Sequence, residues 1–265
     1  MKNLLYFLIV IVLFSSCSEY QKALKNEDPT VKLDMATKMY ELGKFNQSLR
    51  LIEQIAGVYR GRPDAEQLFY MYAQSYYKTR QYYLAGYQFE SFVSAYPKSD
   101  KVIEAAFLGA KSYSMLSPVY SLDQTDTNKA IEKLQLFIDN YPNSEFIAEA
   151  NTITKTLNGK LEKKVFENAK GYNTISDYKS ALIALDNFIA DFPGTSYKEE
   201  ALYYRLDSAY KLGVNSIPSK MEERLNVAKV AYANLIKFKP DTQYKQKADE
   251  MLVRIEKDLQ NLLNK

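Results

Sequence analysis

FESFVSAYP (Phe89–Pro97), LQLFIDNYP (Leu134–Pro142), LDNFIADFP (Leu185–Pro193) and YANLIKFKP (Tyr232–Pro240) are four versions of one segment. Twelve residues before each proline stands a small residue: Ala85, Ala130, Ala181 and Ala228. Large apolar residues follow it at offsets of four (Phe89, Leu134, Leu185, Tyr232) and seven (Phe92, Phe137, Phe188, Leu235). Those offsets put all three on one helix face, so each segment is predicted to be an amphipathic helix that its proline stops. An earlier copy has Ser48, Ile52 and Ile55 at the same offsets, with Arg60 in the proline's place.

Upstream of each such helix lies a second amphipathic stretch, at residues 34–45, 69–82, 107–116, 165–178 and 202–213. The first two superpose with a period of 37, which aligns Ala36 with Ala73 and Phe45 with Tyr82. The unit is helix, turn, helix: the small residue of the second helix allows close approach of the first, and aromatic side chains wedge between hairpins. This pattern resembles the tetratricopeptide repeat, although the Trp at the head of the unit is missing. The small residues are separated by 37, 45, 51 and 47 residues. The excess is expected in a turn (117–129) in the third unit, in an elongated first helix in the fourth, and in another turn (214–224) in the fifth. Residues 242–264 are predicted to form a solvating cap. The expected fold is all-α, a superhelical solenoid of five tetratricopeptide-like hairpins plus a C-terminal capping helix.

Composition narrows the chemistry. The 265 residues include 35 Lys+Arg, 32 Asp+Glu, no His and one Cys, so no His-dependent triad, His-ligated zinc or Cys-rich metal site can form. A net charge of +3 without a basic stripe does not point to nucleic acid. Asp123, Asp126 and Thr127 lack the central Gly and terminal Glu of a calcium loop, and Asp126, Thr127 or Asn128 is expected to cap a helix beginning near Lys129. Isolated glycines offer no phosphate-cradling loop, and Glu199 and Glu200 point to different sides of a helix. No catalytic, cofactor or metal site is predicted.

The N-terminus reads as an address. Lys2 precedes an apolar run from Leu4 to Phe14, which is too short to span a membrane and fits a secretory signal. Ser15-Ser16-Cys17 resembles the lipobox of bacterial lipoproteins, with Phe14 where Leu is usual. The resemblance implies cleavage after Ser16 and N-palmitoyl and S-diacylglycerol attachment at Cys17. More than one acyl chain makes such an anchor stable.

Five repeats behind a lipobox resemble the BamD family, the lipoprotein subunits of the outer-membrane β-barrel assembly machinery. The likeness rests on residues 20–45, on Tyr96-Pro97-Lys98-Ser99 and Tyr141-Pro142-Asn143-Ser144, and on residues 121–138, where Asp123-Gln124 precedes Thr127. It implies a non-enzymatic scaffold, lipid-anchored in the outer membrane and facing the periplasm. The implied partners are the POTRA domains of the BamA barrel subunit, other assembly subunits and unfolded outer-membrane proteins. The corresponding division is a signal peptide (1–16), a lipid-anchored linker (17–30), repeats 1–3 receiving substrate (31–143), and repeats 4–5 with the cap docking the barrel subunit (144–265). A groove along the first helices would hold an extended peptide through Tyr40, Tyr70, Gln74, Tyr77 and Phe107. Tyr203 and Tyr210 are assigned to partner docking. Two other periplasmic roles share the repeat: a cell-wall coordination adaptor and a glycan-uptake lipoprotein.

Overall fold

The computed structural model describes residues 19–264, so the signal peptide and Cys17 lie outside the described residues. All regular elements within them are helical: α1 (19–25), α2 (Pro29–Glu41), α3 (Phe45–Tyr59), α4 (Glu66–Lys78), α5 (Tyr82–Ala95), α6 (Val102–Ser114), α7 (Thr125–Asn140), α8 (Ile147–Thr174), α9 (Tyr178–Asp191), α10 (Lys198–Val214), α11 (Pro218–Phe238) and α12 (Lys245–Leu263). A single 3-10 turn, Pro63–Ala65, precedes α4. The even-numbered helices from α2 to α10 are the first helices (A) of the hairpins, α3 to α11 the second (B), and α12 is the cap. This is the all-α, tetratricopeptide-type architecture. The chain divides into two compact units, one ending at Asn158 and one beginning at Gly159, with the boundary inside α8.

The triads of the B helices form the core. Ser48, Ile52 and Ile55, Ala85, Phe89 and Phe92, Ala130, Leu134 and Phe137, and Ala181, Leu185 and Phe188 are all buried, as are Ala228 and Leu235. Tyr232 departs from the pattern. It is half-buried, and its hydroxyl donates to Asp249 Oδ1 at 2.7 Å, because the neighbour here is the polar-faced α12 and not another hairpin. Residues 19–25, within the stretch expected as a linker, are helical, and Tyr20 and Ala23 are buried in the first unit's core.

The unequal spacings have three different outcomes. In repeat 4 the extra length lies in α8, whose 28 residues make it the longest described helix. In repeat 3 a loop absorbs the excess, but α7 begins at Thr125 and not near Lys129. Thr127 is a buried residue of its first turn, donating to Gln124 Oε1 at 2.7 Å and lying 2.6 Å from Ser117 Oγ. In repeat 5 the expected long turn is only residues 215–217. Pro218 occupies the first helical turn, where the missing N–H costs nothing, so the extra residues lengthen α10 and α11.

The A-to-B turns of repeats 1, 2 and 4 share a backbone form. Gly43, Arg80 and Ser176 occupy equivalent positions with φ of 70°, 61° and 64°. The next N–H (Lys44, Gln81, Asp177) reaches back to Met39, Tyr76 and Tyr172 carbonyls at 2.8–2.9 Å, closing each helix end.

Candidate functional site

The segment that closes each repeat also builds the start of the next. After each proline the chain turns so that Ser99, Ser144, Thr195 and Thr242 donate their N–H to the Tyr96, Tyr141, Phe192 and Lys239 carbonyls at 3.0–3.2 Å. Their hydroxyls accept the N–H two residues on, from Lys101 (3.0 Å), Phe146 (3.2 Å), Tyr197 (3.0 Å) and Tyr244 (3.3 Å). These are the local hydroxyl-to-N–H turns that Ser and Thr favour just ahead of a helix. Three of the hydroxyls also donate to a carboxylate of the preceding A helix, four residues before its ring: Ser99 to Glu66 Oε1 at 2.5 Å, Thr242 to Glu199 Oε1 at 2.6 Å, and Thr195 to Glu162 Oε1, midway along α8. In repeat 3 the corresponding A-helix position is Ile103, and this clamp is missing. Glu199 also takes the Lys239 ammonium at 2.7 Å and the Gln243 N–H at 3.1 Å. Lys239 and then Thr242 hold its carboxyl below the ordinary value.

The residue two past each hydroxyl lies over the ring carried by the preceding A helix. Phe146 stacks on Phe107 at 4.8 Å and 6°, Tyr197 on Phe166 at 5.0 Å and 15°, and Tyr244 on Tyr203 at 4.0 Å and 10°. Repeat 2 breaks the series. The equivalent ring is Tyr70, and the residue above it is Lys101, whose ammonium stands 5.8 Å from the ring centroid. Its backbone is the same as in the aromatic cases: φ and ψ are −93° and −2° at Lys101, −85° and 2° at Tyr197, and −91° and 4° at Tyr244. Without an aromatic cover, a cavity of about 530 Å³ opens between α2 and α4, lined by Thr37, Tyr40, Glu41, Gln67, Tyr70 and Lys101 among others.

The structure brings together three of the expected groove residues. Tyr40 and Tyr70 line the cavity, and Gln74, buried behind them, donates Nε2 to the Tyr70 hydroxyl at 2.8 Å. Burial raises the Tyr70 hydroxyl well above the ordinary phenol value, opposed by the Gln74 bond and reinforced by Glu104. Burial and then Glu104 raise Tyr40 as well, so both rings keep a proton to donate. Tyr77 is half-buried, edge-on to Tyr82 at 5.8 Å and to Phe89 at 6.4 Å, and does not line this cavity.

Two expectations need correcting. Phe107 is only 2% exposed, enclosed by Phe137 and Phe146, because the aromatic cover that repeat 2 lacks is present in repeat 3. Tyr203 is 8% exposed under Tyr244, with its hydroxyl pushed up to about 12 by burial and then by Asp207, so its ring belongs to the second unit's core. Tyr210 is half-buried against that same core. The second unit also ties up its A-helix polar groups: Asn173 Nδ2 donates to Asp207 Oδ2 (2.8 Å) and Ser208 Oγ (2.9 Å), and Lys211 pairs with Asp207 at 2.6 Å.

Sequence reasoning missed Lys101 and Glu104. Aligning the residues two past each hydroxyl, which read Lys, Phe, Tyr, Tyr, singles out Lys101. Among the described residues no group of His, Cys, Asp and Glu could hold a metal ion, and no helix is long and apolar enough to cross a membrane.

The family model described as YfiO, outer membrane lipoprotein, matches residues 26–174 and 161–262. The chain is 22% identical over 173 residues to the outer membrane protein assembly factor BamD of Caulobacter vibrioides. That match covers 65% of this chain and 57% of the length of the Caulobacter protein. Among solved structures it is similar to the TPR2AB domain of yeast Sti1 in its pHSP90 complex (14% identity, TM-score 0.38, 86% of this chain and 98% of that one). It is also similar to nearly identical TPR-like repeats of a Podosopora anserina kinesin light chain (16% identity, TM-score 0.32, 79% and 98%). With a family match running through all five hairpins and into the cap, the chain belongs to the YfiO family of outer membrane lipoproteins.

Proposed function

We propose that this chain is a non-enzymatic scaffold of outer-membrane protein assembly, anchored through acylated Cys17 and facing the periplasm. Its repeats 1 and 2 receive extended segments of unfolded outer-membrane proteins, and its C-terminal repeats dock the POTRA domains of a BamA-type barrel subunit. The family match over residues 26–174 and 161–262 carries this reading, and the name of the Caulobacter relative agrees with it. The open cavity at Tyr40 and Tyr70 supports the placement of the receiving site, since grooves of this kind accept extended peptides. Exposed apolar residues on the B helices of the second unit, Ile183 at 65% and Val230 at 57%, are available to such a docking surface beside the half-buried Tyr210.

Affinity purification of the tagged protein in mild detergent tests the assignment: a POTRA-bearing barrel protein is expected in the eluate. Its absence from a preparation that retains the membrane-bound protein overturns the reading in favour of another periplasmic adaptor. For the anchor, Cys17→Ala is expected to leave soluble or signal-retained protein, and unchanged membrane fractionation contradicts acylation.

A further inference from the structure

The three hairpins of the first unit have two unlike ends. Leu49 packs in one cluster with Ala73 and Tyr76, and Lys129 stands over the Tyr83 and Tyr113 rings at 5.5 and 4.6 Å, so the A-to-B connections 42–44, 79–81 and 115–124 lie at the same end. That end carries Leu42, Met115, Val119 and Leu122 at 56%, 50%, 63% and 58% exposure. The opposite end, made by the B-to-A connections 60–65, 96–101 and 141–146, exposes no large aliphatic side chain, and its rings Tyr96, Tyr141 and Phe146 are half-buried. The longest of the A-to-B connections is also pre-formed. The buried Gln124 donates Nε2 to the Val119 and Leu122 carbonyls at 2.9 Å, and the Leu122 N–H closes on the Val119 carbonyl at 3.1 Å. The backbone polar groups are thus satisfied inwards while the two aliphatic side chains face solvent, an arrangement that is unfavourable in water alone.

The start of the described chain reaches that same end. Glu19 pairs at 2.8 Å with Lys38 in the last turn of α2, one turn from Leu42. Tyr20 and Ala23, both buried, fix α1 in the unit's core. Cys17 stands two residues before Glu19, so even an extended chain holds it within about 7 Å of that residue. We propose that the A-to-B end of the first unit is a lipid-facing surface: with Cys17 acylated, Leu42, Met115, Val119 and Leu122 enter the headgroup layer of the membrane that holds the anchor. The inference rests on the reading of Cys17 as the lipid attachment site and adds which end of the unit meets the bilayer. Charge contributes little, because the exposed Lys44, Lys78 and Arg80 are offset by Glu41 and Asp123, and the contact is mainly apolar. The acyl chains supply the attachment, and the four side chains supply an orientation. Since α4 has thirteen residues, the clamped end of repeat 2, with Glu66 and Ser99, lies about 20 Å from the turn at Arg80 and faces away from the lipid.

The test uses full-length protein purified from membranes in mild detergent and reconstituted on vesicles of phosphatidylethanolamine and phosphatidylglycerol that contain a doxyl-labelled lipid. With Cys17 acylated, a cysteine introduced by Leu42→Cys or Val119→Cys is the only thiol and takes a bimane label. Lys98→Cys and Asn143→Cys, exposed on the B-to-A connections, are the controls. The labels at 42 and 119 are expected to shift to the blue and lose emission to the doxyl lipid, and those at 98 and 143 to do neither. Equal quenching at all four positions, or none at 42 and 119, overturns the proposal. Should a labelled protein lose the wild-type melting temperature, amide hydrogen exchange of the unaltered protein decides the matter. Slower exchange at 42–44 and 115–124 on vesicles, with 96–101 unchanged, supports the proposal, and unchanged exchange throughout overturns it. Flotation separates the two readings: wild-type protein that does not float with the vesicles fails the anchor reading and this inference together. Protein that floats with its labels at 42 and 119 unquenched fails this inference alone. Slower exchange that appears at those turns only when a barrel protein is added assigns them to a protein partner and overturns the lipid contact.

Discussion

Tyr70 in repeat 2 and Tyr203 in repeat 5 occupy the same place on their A helices, each above a carboxylate clamped by the hydroxyl that follows the next B helix. Yet Tyr203 lies under Tyr244 at 4.0 Å and is 8% exposed, whereas Tyr70 borders a cavity with Lys101 5.8 Å from its ring. The frame is common to both; the side chain two past the hydroxyl decides whether the repeat is closed core or open site. A tetratricopeptide hairpin therefore need not change its helices to leave a cavity at its junction. Losing one ring at the junction is enough.

If the aromatic cover in repeat 5 is structural, Tyr244→Ala should cost about 2–3 kcal/mol in urea unfolding, through lost burial and lost stacking. An unchanged midpoint would erase the distinction between sealed and open repeats. The shared frame gives a smaller effect that should not distinguish them: Ser99→Ala and Thr242→Val should each cost about 1 kcal/mol, since each removes a hydroxyl-to-carboxylate bond.

A pH dependence belongs to the same clamp in repeat 5. The Glu199 carboxyl is held below its ordinary value of 4.5 by Lys239 and then Thr242. Its contribution is complete above pH 4.5 and is lost as pH falls through the lower folded value. The wild type should accordingly lose stability more steeply in acid than Glu199→Gln, as monitored by circular dichroism.

A further difference lies in the A-to-B turns. Arg80 holds in repeat 2 the left-handed conformation for which repeat 1 uses Gly43, so Arg80→Gly should stabilise by about 0.5–1 kcal/mol, read from the melting temperature. The smallest effect is expected where the comparison began: Lys101→Ala should change stability by less than about 0.5 kcal/mol, because an exposed cation over an open cavity carries little of the fold. A large loss there would mean that Lys101 is itself a closing residue.

The hairpins were legible because their B helices repeat a small residue and two large apolar ones at fixed offsets, and burial demands those shapes at those places. Ala85, Phe89 and Phe92 are buried for the same reason that Ala181, Leu185 and Phe188 are. The elongation of α8 was legible from the scarcity of breakers between Ile147 and Val165. The turn of repeat 5 was misread because proline stops a helix from within but starts one at its first turn, and Pro218 does the latter. The left-handed turns at Arg80 and Ser176 carried no glycine to announce them.

Within the site, Tyr40, Tyr70 and Gln74 were recoverable from their shared helix faces, but Phe107 and Tyr203 look the same in sequence. What separates them from Tyr70 is the cover supplied from the start of the next A helix, by Phe146 and Tyr244. In repeat 2 that position holds a lysine of the kind that surfaces carry everywhere.

A photoreactive amino acid placed at position 101 or at position 244, in protein engaged with an unfolded outer-membrane substrate, tests the contrast between open and closed repeats most directly. Capture of substrate from position 101 and none from position 244 is the expected result. Equal capture from both, or capture from position 244 alone, would contradict the account.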